Sequence, residues 1–260
     1  MLLGMSSAGF YGRMETEEEA AHLTEFPLDV CEIFLQTRSE YNSAFGQEVH
    51  TRLHGLPCLS VHPKGTQFEP DLFGQSPRQR QDGMETFAGV LDAGRALGSK
   101  WYVFHGPSGI QSPMRPERIP FLPERFQAMQ AAAAQRGMEI LWENVSWCTI
   151  RTPHEVESAI RLLPDIHFVL DIKQAFRAGV DPFDMLAAMG NRVRHVHVLD
   201  WDESGTLCLP GEGVVDFPKL LKQLKKQGFD GGVMLEPYAA QTLDEEAVYR
   251  ALTYLQHAMT

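Results

Sequence analysis

Eight short apolar runs recur along the chain, each followed by a helix-patterned stretch, and this alternation limits the fold more than any other feature. The runs are Leu2–Ser6, Val30–Leu35, Pro57–Val61, Trp101–His105, Glu139–Glu143, His167–Asp171, Arg194–Leu199 and Gly232–Glu236. They are more continuously apolar than alternating, as expected of parallel strands whose outer face is covered by helices. The segments between them carry helix-end signals. Thr152 with Glu155, and Thr242 with Glu245, read as capping boxes, and Asp181 before Pro182 as a capping acid ahead of a first-position proline. Gly55, Gly98, Gly137, Gly190 and Gly228 each precede a run, where a helix end often needs a left-handed residue. A chain of 260 residues also fits the size of about 250 residues expected for eight such units. The expectation is an α/β protein, a single (β/α)8 TIM barrel over residues 1–260, with its active site at the C-terminal rim of the strands.

Residues two apart on a strand share a face. Val30, Glu32 and Phe34 therefore form one set, and Cys31, Ile33 and Leu35 form the apolar set that faces helices. The same division joins Ser60 to His62, Val103 to His105, Leu141 to Glu143, Val169 to Asp171, His195 to His197 and Met234 to Glu236. In each of these pairs the second residue is polar and the last of the inward set, so it emerges at the barrel mouth. The longer connections Pro63–Arg80, Gly106–Pro116 and Asp200–Val215 open on that same side and read as lid and substrate loops.

Glu143, Asp171, His197 and Glu236 are separated by about 28, 26 and 39 positions, roughly one strand plus one helix per step. Together they form a hard, mostly oxygen donor set. It suits one divalent cation, Mn2+ or Mg2+ first, with Co2+ or Zn2+ admitted by the single imidazole. Such a cation can bind two adjacent oxygens of a hydroxyketone, polarise the carbonyl and stabilise an enediolate. Glu143 or Glu236 can serve as the carboxylate base, and two glutamates on different strands can work on opposite faces of the substrate. Opposite-face return of the proton inverts a centre, and transfer between adjacent carbons isomerises. Expulsion of a β-hydroxyl would make the reaction a dehydration instead.

His62 and His105 either contact substrate hydroxyls or complete a second metal site with Glu143. His195 lies one layer deeper than His197 and reads as structural. Lys173 would share the inward side of Asp171 if the strand ran that far, and there bind a substrate oxygen or pair with a rim acid. Phe10, Trp142, Trp147, Trp201 and Tyr238 lie near strand ends, as core or lid packing or as faces for a sugar ring.

Composition narrows the substrate. The balance of 23 Lys and Arg against 34 Asp and Glu gives −11, which disfavours a phosphate-tracking groove and favours a small-molecule partner over nucleic acid. Cys31, Cys58, Cys148 and Cys208 form no CxxC pair and read as reduced thiols. The start MLLGMSSAGFYGR lacks a basic n-region, and no apolar stretch approaches the ~20 residues of a membrane span. A cytoplasmic protein without a membrane partner is expected, and a homo-oligomer is left open.

The strings WENVSW (142–147), LDIKQAFRAG (170–179), HVHVLDWDESG (195–205), PGEG (210–213) and VMLEPY (233–238) resemble the xylose-isomerase-like barrel superfamily. Within it they are similar to the sugar phosphate isomerase/epimerase group, with ketose 3-epimerases, hydroxypyruvate isomerase and inosose-processing enzymes, and endonuclease IV as a relative. The resemblance implies that Glu143, Asp171, His197 and Glu236 hold one metal and that Glu143 and Glu236 exchange the substrate proton. It also implies that Gln174, where many relatives place a histidine, binds a substrate hydroxyl beside His62, His105 and Lys173. Endonuclease IV needs a histidine at position 174 and an Asp-x-His before the Gly-Glu-Gly. This chain has neither, which counts against phosphodiester hydrolysis. The function implied is a metal-dependent isomerase or epimerase of a small sugar or keto-polyol. An inosose-like dehydratase is the alternative; an endonuclease-like phosphodiesterase and a non-catalytic sugar-binding barrel stand behind both.

Overall fold

A computed structural model describes residues 1–108, 114–238, 240–242 and 244–260. Eight parallel strands close into a barrel: β1 (Leu2–Ser6), β2 (Val30–Leu35), β3 (Cys58–Pro63), β4 (Trp101–Phe104), β5 (Glu139–Glu143), β6 (His167–Asp171), β7 (Val193–Val198) and β10 (Gly232–Leu235). The pairing runs in sequence order, and β10 returns to β1 to complete the ring. Two short antiparallel strands, β8 (Asp200–Trp201) and β9 (Leu207–Cys208), make a hairpin after β7. The α-helices are α1 (Thr16–Leu23), α2 (Ser43–Arg52), α3 (Glu69–Leu72), α4 (Pro77–Leu97), α5 (Leu122–Ala134), α6 (Pro153–Leu162), α7 (Ile172–Arg177), α8 (Pro182–Met189), α9 (Phe217–Lys226) and α10 (Glu245–Met259). This is the single TIM barrel expected. None of the described helices is long and apolar enough to cross a membrane.

The outward strand residues and the apolar helix stripes form one large core. Ile33, Phe104, Trp142, Leu170 and Val196 meet Phe87, Phe126, Val156, Leu221 and Leu252, all fully buried. Each such side chain contributes roughly 1.5–3 kcal/mol by leaving water. In α9 the amphipathic spacing is plain: Phe217, Leu220, Leu221 and Leu224 are buried while four lysines line the rest of the helix, and the Asp216 carboxylate caps it by accepting from the Lys219 amide.

The barrel lumen is plugged lower down. Val30, Leu59 and Met234 cluster with Trp101, and Val103, Leu141 and Val169 pack beside it. A register shift at Cys31/Glu32 gives β3 one extra residue, so that Cys31 pairs Cys58 and Glu32 pairs Ser60 while Leu59 joins the interior. Gly4 leaves room for this plug, since a Cβ there would lie 2.5 Å from the Met234 sulfur. Above the apolar floor the inward residues include Glu32, Ser60, His62, Glu143, Asp171, His195 and His197, with Phe34 at the mouth.

Several local expectations need correction. β3 runs on to Pro63, so His62 lies within the strand, whereas β4 and β10 stop one residue short of His105 and Glu236. Thr152 spends its hydroxyl on the Glu155 carboxylate rather than on a free amide. The cap of α10 is Asp244, which accepts from the Ala247 amide, because the Thr242 hydroxyl is drawn to the Gly9 carbonyl. Asp181 caps α8 as expected, accepting from the Phe183 amide. The five loop glycines all take positive φ, from 58° at Gly190 to 96° at Gly55. In the Gly106–Pro116 connection, residues 109–113 lie outside the described residues.

Candidate metal centre

Glu143 ends β5, Asp171 ends β6, His197 lies near the end of β7, and Glu236 follows β10. Strand register brings them to one level: Asp171 is opposite His197, and His197 is opposite Met234, whose second neighbour is Glu236. One ligand atom from each of the four lies within 4.8 Å of the others. His197 Nδ1 is 2.9 Å from Glu143 Oε1, 3.5 Å from Glu236 Oε2 and 3.9 Å from Asp171 Oδ2. Glu143 Oε2 and Asp171 Oδ2 are buried and make no hydrogen bond. Buried carboxylate oxygens that make no hydrogen bond are costly, and the ion-pair contacts nearby, Lys173 Nζ at 3.5 Å from Asp171 Oδ2 and His105 Nε2 at 3.3 Å from Glu143 Oε2, do not make one. With three carboxylates and an imidazole converging on one point, these residues fit a divalent metal.

Asp171 is held on both sides. Its main chain is clamped by the Asn144 side chain, which accepts from the Asp171 amide at 2.8 Å and donates to its carbonyl at 2.7 Å. Its Oδ1 caps α7, accepting from the Gln174 amide at 2.8 Å. The strand ends at Asp171, as expected, so the condition under which Lys173 would share its inward side as a strand residue is not met. Lys173 reaches the site from the first turn of α7, with Nζ 2.5 Å from Glu236 Oε2 and 3.5 Å from Asp171 Oδ2. Gln174 spends its carbonyl oxygen on the Ser146 amide and hydroxyl and still borders the cavity.

His62 and His105 stand next to the quartet, Nε2 to Nε2 at 2.8 Å. His62 Nδ1 is 3.3 Å from Glu236 Oε1, and His105 Nε2 is 3.3 Å from Glu143 Oε2. These two histidines and Glu143 form a second group with metal-ligand spacing. A cavity of about 230 Å³ opens above, walled by Tyr11, Phe34, Trp147 and Tyr238 and floored by the ligands. Of the aromatic residues singled out in the sequence, Trp147 and Tyr238 border this cavity. Phe10 and Trp142 are core, and Trp201 stacks on Phe176 at 4.2 Å. A larger cavity of about 580 Å³ lies between α9 and α10 beside Met1 and holds none of these residues.

Four supporting residues were not singled out from the sequence. Glu32 sits beneath the quartet, and its inward parity was the available signal. Asn144 clamps Asp171. Glu69, in α3, accepts from Tyr102 Oη at 2.7 Å and from the His105 and Gly106 amides at 3.1 and 3.2 Å, fixing the end of β4. Asp200 accepts from the amides of Trp201, Gly211, Gly213 and Val215 and so gathers the loop after β7.

Electrostatics divide the carboxylates. Burial raises the Asp171 carboxyl to about 8, against the opposing pull of Lys173. Burial also works to raise Glu236, but the Lys173 and His197 charges hold it well below the usual range. Burial works to raise Glu143 as well, but its bond to His197 together with the charges of His197, His105 and His62 lowers it. His62 is lifted to about 10: burial opposes this, and its contacts with Glu236 and Glu32 prevail. Burial and the His62 charge push His105 down to about 4. The site thus holds two depressed carboxyls, Glu143 and Glu236, and one elevated, Asp171, around the same cavity, the kind of perturbation that clusters at functional sites.

Comparison with known proteins agrees with this architecture. The inosose dehydratase of Clostridium perfringens (strain 13 / Type A) is 22% identical over 135 residues, 44% of this chain and 46% of that protein. The chain spans about half the length of the curated relatives it matches. The crystal structure of D-psicose 3-epimerase in the presence of D-fructose superposes with a TM-score of 0.81 at 14% identity, covering 100% of this chain and 99% of that one. The IOLI protein with a bound zinc atom gives a TM-score of 0.73 at 18% identity, covering 99% and 96%. These two likenesses establish the shared fold. The profile of the xylose isomerase-like TIM barrel family matches residues 22–256, and the chain belongs to that family.

Proposed function

We propose that this protein is a divalent-metal-dependent isomerase or epimerase of a small sugar or keto-polyol. The observation that carries the reading is the buried quartet Glu143, Asp171, His197 and Glu236, with two carboxylate oxygens left without donors. Those four residues would hold the cation, with Mn2+ or Mg2+ suited to the donor set and zinc, as in the IOLI protein, admitted by the imidazole. When bound, the metal supplies Lewis-acid polarisation of a carbonyl and a point of attachment for its neighbouring hydroxyl.

The protein's own groups do the rest. Glu143 and Glu236 enter from strands separated by β6 and β7, so one takes the proton from the carbon beside the carbonyl and the other returns it. Lys173 keeps Glu236 ionised and offers its remaining hydrogens to a substrate oxygen. His62, His105 and Gln174 present polar atoms to hydroxyls, while Trp147 and Tyr238 shield the apolar face of the ring. The cavity size and the epimerase likeness support a monosaccharide-sized ligand rather than a nucleic acid. A cytoplasmic location belongs to the same reading.

Dehydration of a keto-polyol is the second reading, favoured by the inosose dehydratase matches. Solvent-deuterium incorporation into a ketose panel with added Mn2+ separates the two. Exchange without loss of water is expected; a deoxy or enol product points to dehydration; nicking of abasic DNA without exchange defeats both. Glu143→Gln and Glu236→Gln are each expected to abolish exchange, and activity retained in both would remove the proton-transfer assignment.

A further inference from the structure

Glu32 is fully buried on β2, inside the barrel and below the quartet. Four side chains converge on it from two other strands, β3 and β7. Ser60 Oγ donates to Oε2 at 2.7 Å, His195 Nε2 and His197 Nε2 lie 3.3 and 3.2 Å from the same oxygen, and His62 Nδ1 lies 3.4 Å from Oε1. The two nitrogens of His197 thus face different carboxylates: Nε2 looks down to Glu32, and Nδ1 looks up to Glu143 Oε1 at 2.9 Å. Turning the ring over would aim carbon at both and leave a fully buried carboxylate short of a donor. The proton on Nε2 is therefore pinned, which leaves the Nδ1 lone pair for the ligand cluster.

We propose that Glu32 is a positioning residue for the metal centre, acting through His197 by holding its Nε2–H and presenting Nδ1 to the cation. This rests on the reading that the quartet binds a divalent metal. A carboxylate behind a ligating imidazole fixes its tautomer and orientation and raises its basicity, and loss of such a partner typically costs 10–100-fold in metal affinity. The neighbouring contacts fit the same role. Ser60 and His195 occupy Oε2 from below and keep the carboxylate from rotating away. His62 shares its Nδ1 between Glu32 and Glu236 Oε1, so the same carboxylate also steadies the histidine beside the second glutamate.

The test pairs an affinity with a spectrum. In Glu32→Gln, which keeps the side-chain shape but loses the charge, zinc affinity measured against a chromophoric chelator is expected to fall roughly 10–100-fold. In wild-type protein, long-range 1H–15N imidazole spectra, assigned with His197→Asn, are expected to show Nε2 of His197 protonated both without metal and with zinc. Wild-type zinc affinity in Glu32→Gln, or an unprotonated Nε2 in the zinc-loaded wild type, would overturn the assignment to Glu32 alone. A wild-type protein that takes up no zinc, magnesium or manganese would overturn the metal reading beneath it. If Glu32→Gln does not fold, the wild-type spectra still decide.

Discussion

Lys173→Met perturbs the centre without touching a proposed ligand, and its effect has a definite sign. The ammonium is buried, 2.5 Å from Glu236 and 3.5 Å from Asp171. Removing one partner of a buried ion pair costs about 3–5 kcal/mol. The lower end applies here, because Glu236 keeps His62 Nδ1 at 3.3 Å and His197 Nδ1 at 3.5 Å, and because Asp171, already raised to about 8, can carry a proton. At about 2–4 °C per kcal/mol for a chain near this size, ~3 kcal/mol predicts a fall of roughly 6–12 °C in the melting midpoint of the metal-free protein. A divalent cation held by the same carboxylates would replace the missing positive charge. Differential scanning fluorimetry with chelator and then with excess Mn2+ should therefore show a larger manganese-induced rise in the variant than in wild type, narrowing the gap. An unchanged midpoint in chelator, or an equal manganese shift in both proteins, would refute the electrostatic account of the site.

Two further predictions concern groups outside the ligand set. Asp200→Asn turns an amide NH2 toward two of the four amides its carboxylate accepts. Losing two charge-assisted bonds, each ~1.5–3 kcal/mol, should speed hydrogen exchange at Gly211 and Gly213 or at Trp201 and Val215 by roughly 100-fold or more; unchanged exchange would show that the loop is held otherwise. Glu19 is raised by burial from 4.5 to about 8 in the folded protein, so the folded state keeps a proton that the unfolded chain releases. Stability contributed by this group accordingly falls as pH rises from about 4.5 to about 8, by about 1.4 kcal/mol per unit. Glu19→Gln should melt above wild type at pH 8 and match it below pH 4.5, and a pH-independent difference would contradict the assignment.

The strands and the quartet were legible because both depend on short-range pattern. A parallel strand covered outside and plugged inside is apolar throughout, and parity alone aims its last inward residue at the mouth. That logic aims Glu143, Asp171 and His197 inward at the mouth, where their ligand atoms come together, although β7 ends one residue earlier than expected. It failed where a side chain answers to something distant in sequence. Lys173 reaches the site although the strand ends at Asp171, because the aspartate caps α7 and the first helical turn points the lysine back at Glu236. Thr242 Oγ1 donates to the Gly9 carbonyl, 233 positions away, and the residue that caps α10 is Asp244. Glu32 was visible as an inward acid, but its importance comes from Ser60, His62, His195 and His197, which only barrel closure assembles around it. Asp200 looks like one acid among several in an Asp-rich loop until its four amide donors are seen to converge.

Anomalous diffraction at the manganese edge from crystals soaked in Mn2+ tests the central claim most directly. The account predicts one strong peak bounded by Glu143, Asp171, Glu236 and the Nδ1 atom of His197, lost in Asp171→Asn. Absence of a peak at the quartet, or a peak held by His62 and His105 alone, would contradict it.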